Sequence, residues 1–361
     1  MKATIDLDDA EALLAADRDG SLQAASMAGS QVRAVGTAIA EGALDPLHVE
    51  DRSRALVWVA GRGTAATAGA VLAGALSDTA SLPFVTATRA PVWVGPLDVM
   101  VVAGDDAGDP ALTAAVSMGT RRGARVVIAA PDEGPLADSG AGRAISLAPR
   151  LRVPDTFSLA HNLAVGAAVL GVLDRAIVPD VMAIADEVDG EVSRNTVGRE
   201  IFTNAAKVIA TRLTGGPAVF CGDRSVTVAL AQHAAATLLR LTQRTATACG
   251  LPQALAAMRD ALSSRSSGES SLFHDEFIDG PRGDGPPRIL ALATDSDFQS
   301  VAARIDGVDE AQLVSTTDLG DVAARPSELA QLMMLATRLE MASVYARLGG
   351  EIRAVNLLRG R

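Results

Sequence analysis

Five short apolar runs punctuate the first half of the chain: RALVWVA (54–60), LPFVTAT (82–88), LDVMVVAG (97–104), ARVVIAA (124–130) and RAISLAP (143–149). They are apolar on consecutive positions rather than alternate ones. That pattern belongs to strands covered on both faces. Segments of helical spacing separate them, at 63–77 and 110–122, and a helix over 156–175 closes the set. Asp109 followed by Pro110 reads as an N-cap with proline at the first helical position. Strand and helix in alternation predict a parallel, doubly wound α/β sheet, a three-layer αβα sandwich.

The pattern then begins again. GPAVFCGDRSVTVALAQHAAATLLRL (216–241) reads strand, loop, helix, and RILALAT (288–294) and AQLVSTT (311–317) supply further strands. The openings at 57–74 and 218–240 form a weak internal repeat, so two parallel sheets are expected, with first strands at 55–60 and 217–222. Residues 8–42 read as helical with a break at Gly20, 180–213 as one or two linking helices, and 326–347 as a long amphipathic helix. The polar, Gly/Pro/Ser-rich stretch 263–287 reads as a long loop, a kind of segment that is often functional. The expected division is an N-terminal helical segment (1–42), a first α/β unit (43–178), linking helices (179–213) and a second unit (214–361).

Composition narrows the partners. The chain has 361 residues and is 48 % hydrophobic, with a net charge of -11. An acidic chain is a poor fit to nucleic acid or an anionic membrane surface, so neither is expected as a partner. Its two cysteines, Cys221 and Cys249, have no CxxC spacing, and the acidic start MKATIDLDDAEALL is not a secretory signal. A cytoplasmic protein is the expectation. The most apolar run, 157–173, contains His161 and Asn162, which suits a buried helix better than a membrane span.

Candidate chemistry gathers in two loops, each between a strand and a helix N-terminus, where free backbone N–H groups favour anions. The first, AGRGTAAT, carries Gly61, Arg62, Gly63, Thr64 and Thr67. The second, AGDDAGD, carries Asp105 and Asp106 as well as Asp109. An ionised aspartate only accepts hydrogen bonds. At about 4 Å from a phosphate charge and an effective dielectric of 20 it repels by roughly 4 kcal/mol. Asp105 and Asp106 therefore read either as solvated turn residues or as acceptors for a metal, a cation or a polyhydroxy ligand. Gly61 and Gly63 suit a tight turn, and equally a backbone contact with a ligand. No third glycine stands at the dinucleotide spacing, so NAD is rejected. The P-loop, HExxH and GxSxG patterns are missing from the sequence, and no cofactor or metal is expected. Arg62 and Arg224, each following the first strand of its unit, are candidates to bring positive charge to a displaced anion site. His161 reads as a core residue. His233 reads as a core residue or as a replacement base. His274, in the polar loop, reads as an exposed residue or as one facing a ligand, with Glu276 placed to orient it or to act as a base.

The order of these motifs resembles the sugar isomerase (SIS) family. VAGRGTAATAGAVLAG is similar to its first signature loop, VMVVAGDDAGDPAL to its second, TRRGARVVIAA to its R-G-A strand, and LFHDEF to the H-N-E loop of bifunctional phosphoglucose/phosphomannose isomerases. The nearest branch is the actinobacterial TobH-like one. The resemblance implies tandem SIS units, a homodimer with the loop 268–280 in the partner's cleft, and a sugar phosphate or sugar derivative as ligand. Matched residue by residue, the family's phosphate-binding serine falls at Ala65, the serines of its second loop at Ala103 and Asp105, and its threonine near Gly108. Its Pro-Arg pair falls at Pro154-Asp155 and its glutamate-bearing run at AAATLLR (234–240), while His274 and Glu276 are kept. These matches imply a carbohydrate-derivative binder with a degenerate isomerase site. The alternative is an active aldose–ketose isomerase using His274 and Glu276, with His233 as a further candidate.

Overall fold

The computed structural model describes residues 5–48, 52–76, 79–140, 142–174, 180–214, 216–266, 287–316 and 325–350. Three helices open the chain: α1 (Ala10–Ala16), α2 (Ser21–Ser26) and α3 (Ala28–Ala40). The break expected at Gly20 is present, with Gly20 at φ +68 before α2. A second break, at Met27, separates α2 from α3.

The first unit comprises β1 (Ala55–Val59), α4 (Gly63–Leu76), β2 (Phe84–Ala87), β3 (Asp98–Ala103), α5 (Pro110–Arg121), β4 (Arg125–Ala129), α6 (Gly134–Ser139), β5 (Ile145–Ser146) and α7 (Leu159–Leu173). Its strands are all parallel, in the order β2-β1-β3-β4-β5. Then come α8 (Val181–Arg194) and α9 (Ala205–Thr214). The second unit has β6 (Ala218–Gly222), α10 (Ser225–Thr242), β7 (Ala246–Gly250), α11 (Leu251–Ser266), β8 (Arg288–Leu292), α12 (Phe298–Ile305), β9 (Ala311–Val314) and α13 (Glu328–Gly349). Its sheet is again parallel, in the order β7-β6-β8-β9. Both expected first strands are thus in place, and the helices between the sheets lie where 180–213 predicted them.

Each strand divides its apolar side chains between two cores, because successive residues point to opposite faces. In β1, Val57 and Val59 join α5 and α6 on the outer face, with Leu112, Val116 and Leu136. Leu56 and Trp58 join the large inner core with α4 and α7. Phe220, Leu290 and Leu292 of the second sheet enter that same inner core, so the two sheets enclose one shared helical layer. Trp58 fixes the start of α4: its indole donates to the Ala65 carbonyl at 2.8 Å. A Cβ on Gly69 would lie 2.5 Å from the Trp58 ring, which is why α4 carries glycine there.

Within the shared layer α4 and α10 run antiparallel. Gly74, late in α4, lies against Val226 at the start of α10, where a Cβ would sit 3.0 Å away. At the opposite end Arg240, late in α10, meets Asp155, whose carbonyl accepts from Thr64 at the start of α4. Helix α13 differs from the expectation of an amphipathic helix. It is buried around nearly its full circumference, from Ala330 to Gly349, and packs on α8, α9 and α10. Strand β7 and helix α11 were not anticipated, and α11 extends over 263–266, the start of the expected loop. Helix α7 is buried along its length, as its apolar run suggested. Among the described residues no helix is long and apolar enough to cross a membrane.

Candidate functional site

In an open parallel sheet, ligands sit outside the carboxyl ends of the strands where the strand order reverses. In the first sheet that point lies between β1 and β3. The loop after β1 brings Gly61, Arg62 and Gly63 there, all exposed. The loop after β3 brings Asp105 and Asp106, also exposed. The two candidate loops thus stand side by side at the carboxyl ends of β1 and β3.

Ion pairs bridge the mouth of the crevice. Arg62 Nη2 stands 3.4 Å from Asp106 Oδ2, and its Nε stands 3.9 Å from Asp105 Oδ1. These pairs are exposed and long, so their net contribution is small. They nevertheless place the positive charge between the two loops and against the carboxylates. Asp106 also closes an Asx turn, accepting from the Gly108 amide at 2.8 Å. Asp109 caps α5, accepting from the Ala111 amide at 2.7 Å, as its position before Pro110 predicted.

The hydroxyls behave differently from donors poised for a phosphate. Thr64 is buried, with its Oγ1 2.6 Å from Ser158 Oγ and 3.2 Å from the Asp155 carbonyl, to which it donates. It ties α4 to the start of α7. Thr67 donates back to the Gly63 carbonyl at 3.3 Å, one turn earlier in α4. Gly63 has φ +63, a left-handed conformation that favours glycine at the entry to α4. At Gly61 a Cβ would meet nothing within 4 Å, so the backbone there lies open.

Sequence reasoning did not find the cation that the second unit contributes. Arg240 of α10 forms a two-bond pair with Asp155, Nη1 to Oδ2 at 2.7 Å and Nη2 to Oδ1 at 2.8 Å. Asp105 also faces Arg240 electrostatically. The hydrogen bonds from Arg240 hold the Asp155 carboxyl below its ordinary range, and burial only partly opposes them. Position 155, where the resemblance calls for arginine, therefore carries an acid, and a guanidinium arrives from the neighbouring helix instead. The AAATLLR turn of α10, where a glutamate was expected, ends in that arginine.

The histidines separate. His233, on α10, is buried with its Nε2 2.8 Å from Glu340 Oε1 of α13, also buried. Burial pushes the Glu340 carboxyl up, against the hydrogen bond from His233. The pair ties α10 to α13 inside the core. His161 is buried in α7 with Nε2 unpartnered, and desolvation pushes its pKa down to about 4, so the ring is neutral. His274 and Glu276 lie outside the described residues. Among the described residues no group of three or more His, Cys, Asp or Glu side chains is placed to hold a metal ion.

Beside the crevice runs an open groove of about 510 Å³ between the loop after β2 and the first turns of α5. Arg89 and Asp109 supply its charges, and Ala90, Pro110, Ala114 and Met118 its apolar wall.

No family model matches the chain, and no curated protein matches it in sequence. Solved structures do match in fold. Tagatose-6-phosphate ketose/aldose isomerase from Escherichia coli is 12 % identical with a TM-score of 0.56, covering 96 % of this chain and 95 % of its own. The C-terminal domain of glucosamine-fructose-6-phosphate aminotransferase from Francisella tularensis is 11 % identical with a TM-score of 0.59, covering 92 % and 98 %. A hypothetical protein from Thermus thermophilus is 12 % identical with a TM-score of 0.62, covering 96 % and 89 %. At such identities the likeness is one of fold, and it is the α/β fold with two parallel sheets expected of SIS proteins.

Proposed function

We propose that this protein binds a carbohydrate derivative in the crevice between β1 and β3, and that the site does not isomerise sugar phosphates. The observation that carries the reading is the bridge from Arg62 to Asp105 and Asp106 across the crevice mouth. Exposed carboxylates accept hydrogen bonds from sugar hydroxyls. The same carboxylates oppose a phosphate dianion, and Thr64 is committed to Ser158 and Asp155 rather than to the opening. The sugar-phosphate names among the proteins of like fold support the ligand class.

Proton transfer between neighbouring carbons needs a base within hydrogen-bond reach, typically contributing 10²–10⁴-fold. The α10 turn nearest the crevice offers Arg240, a cation that cannot act as a base at neutral pH. A thermal-shift screen of free sugars, amino sugars and sugar phosphates tests the binding reading. Saturation at a hundredfold excess over Kd raises stability by roughly 2.7 kcal/mol. A coupled fructose 6-phosphate assay tests the chemistry: turnover of about 1–10³ s⁻¹ overturns the degenerate-site reading and directs attention to His274 and Glu276.

A homodimer is proposed on the resemblance at FHDEF alone, because α13 is buried within its own chain and offers no free apolar face. A monomer by light scattering at micromolar concentration overturns it.

A further inference from the structure

The two cysteines have no CxxC spacing and stand 28 positions apart in the chain. The second sheet nevertheless sets them side by side. Strands β6 and β7 are parallel neighbours, and their register pairs Cys221 with Cys249. Adjacent strands lie about 4.8 Å apart, within the roughly 4.4–6.8 Å that a disulfide spans between Cα atoms. Both side chains also leave the sheet on the same face. Phe220 and Ala248, the preceding pair in the register, point to the inner core. Cys221 and Cys249 pack with Leu251, Met258 and Ile289 on the outer one. Both thiols are free.

The pair is asymmetric. Cys221 lies on a strand with neighbours on both sides and is fully buried. Cys249 lies on the edge strand and is half-buried. The amide of Ala254, in the first turn of α11, donates to its sulfur. Burial pushes the Cys249 thiol up, and this amide acts in the opposite sense. Burial pushes Cys221 up to about 12, with Cys249 and Asp223 adding to the effect. An accessible sulfur at a helix N-terminus with a second thiol beside it is the arrangement of an attacking and a resolving cysteine. Two sulfurs fall short of a structural zinc site. Among the described residues no further His, Cys, Asp or Glu completes one.

We propose that Cys249 and Cys221 are a peroxide-sensitive pair that closes reversibly into an intrachain disulfide. A half-buried sulfur favours a small oxidant, hydrogen peroxide, over a bulky disulfide. Cys249 attacks one peroxide oxygen and the O–O bond breaks. The other oxygen leaves as hydroxide and takes the proton lost by the Cys249 thiol, giving water. Cys249 is then a sulfenic acid. The Cys221 sulfur attacks the Cys249 sulfur, the S–O bond breaks, and the oxygen leaves with the Cys221 proton as a second water. Two thiols have lost two electrons, and the peroxide has gained them. An external dithiol reverses the bond by exchange. Burial keeps both thiols protonated at neutral pH, so the first step is slow and the pair answers to sustained exposure. The bond adds a covalent tie to β7, which has a neighbouring strand on one side only.

The test exposes the full chain to millimolar hydrogen peroxide and maps its peptides without reduction. The expected product is a peptide containing Cys221 joined to one containing Cys249, with both thiols regained on treatment with dithiothreitol. In Cys221→Ala the reaction should stop at the Cys249 sulfenic acid, which dimedone traps. In Cys249→Ala the remaining buried thiol should survive the same exposure. The wild-type map stands even if a variant fails to fold. Thiols that persist in the wild type overturn the proposal. So does Cys249 oxidised to sulfinic acid without the link, a link between chains rather than within one, or dimedone labelling of Cys221 in Cys249→Ala.

Discussion

Arg240 and Asp155, 85 positions apart in sequence, face each other as a two-bond ion pair where the second unit's central helix meets the first unit's crevice. The pair is half exposed, with the side chains 53 % and 36 % accessible. Its stabilising effect is therefore under about 1 kcal/mol after screening. Because the Asp155 carboxyl is held low, its contribution is complete above the unfolded carboxylate pKa of about 3.9 and is lost as pH falls through the lower folded value. Asp155→Asn should lower the urea midpoint slightly at pH 7, and the difference from wild type should close in acid. The same substitution frees Arg240 beside Asp105, so sugar-phosphate binding should strengthen. Weaker binding would show that the intact pair, rather than the free guanidinium, shapes the crevice.

A larger effect is expected at Glu191. This buried carboxylate is gripped by Arg338 at 2.6 and 3.1 Å, by Arg194 at 3.1 Å and by Asn195 at 2.6 Å. Burial disfavours its charge, yet the two arginines outweigh that and keep it ionised. Glu191→Ala should cost about 3–5 kcal/mol, since it strands the buried Arg338. Replacing Glu191 and Arg338 together by apolar residues of similar volume should restore part of the loss. Chemical denaturation of both variants measures it, and a single variant as stable as wild type would contradict the assignment.

His161 sets a pH window. Its folded pKa lies near 4 because burial opposes the charged ring, against about 6.5 in an unfolded chain. The unfolded state then binds the extra proton, so stability rises with pH between those values and is complete above about 6.5. A shift of this size amounts to roughly 3 kcal/mol lost on acidification to pH 4. His161→Leu should flatten the pH dependence of the unfolding midpoint across that window. An unchanged slope would place the acid sensitivity in other groups.

Two substitutions probe the first crevice without disturbing the core. Gly61→Ala meets no atom within 4 Å, so the fold should be unaffected. If the loop backbone contacts the ligand, binding should nevertheless fall severalfold. Asp105→Ser removes an exposed carboxylate and should improve sugar-phosphate affinity about tenfold, or roughly 1.4 kcal/mol, without creating turnover. By contrast, Gly222→Ala in β6 would drive a Cβ to 2.6 Å from the Thr227 backbone and should destabilise the second unit.

The sheets were legible because β1, β3, β4, β6 and β8 are continuous apolar runs, and buried parallel strands have no polar face to blur them. Strand β7, ATACG, was not. It is only partly buried and built of small or weakly apolar residues, so neither period nor hydropathy marks it. The positions of the two candidate loops were legible for a related reason: each follows a strong strand. The positions of Arg240 and Asp155 were legible as departures from a pattern, but their pairing was not. It depends on the antiparallel packing of α4 and α10, which no local spacing encodes. The burial of α13 escaped the sequence because Gln331, Arg338 and Glu340 interrupt its apolar run with polar side chains. Arg338 and Glu340 leave the helix on opposite sides, and each meets a partner inside the molecule, Glu191 and His233, rather than water.

That inward-facing last helix has a consequence for the order of assembly during synthesis. Helices α2, α8, α9 and α10 all contribute surface to the bed in which α13 lies. The bed includes residues near position 22 and others beyond 230, yet its occupant begins at Glu328. At about 5–20 residues per second on the ribosome, the seat of α13 stands open for many seconds before the helix emerges. The nascent chain therefore exposes an apolar trough until the segment from Glu328 onward has been made. A chain halted before Glu328 should bind a hydrophobic dye strongly and yield to brief proteolysis, whereas the finished protein should do neither.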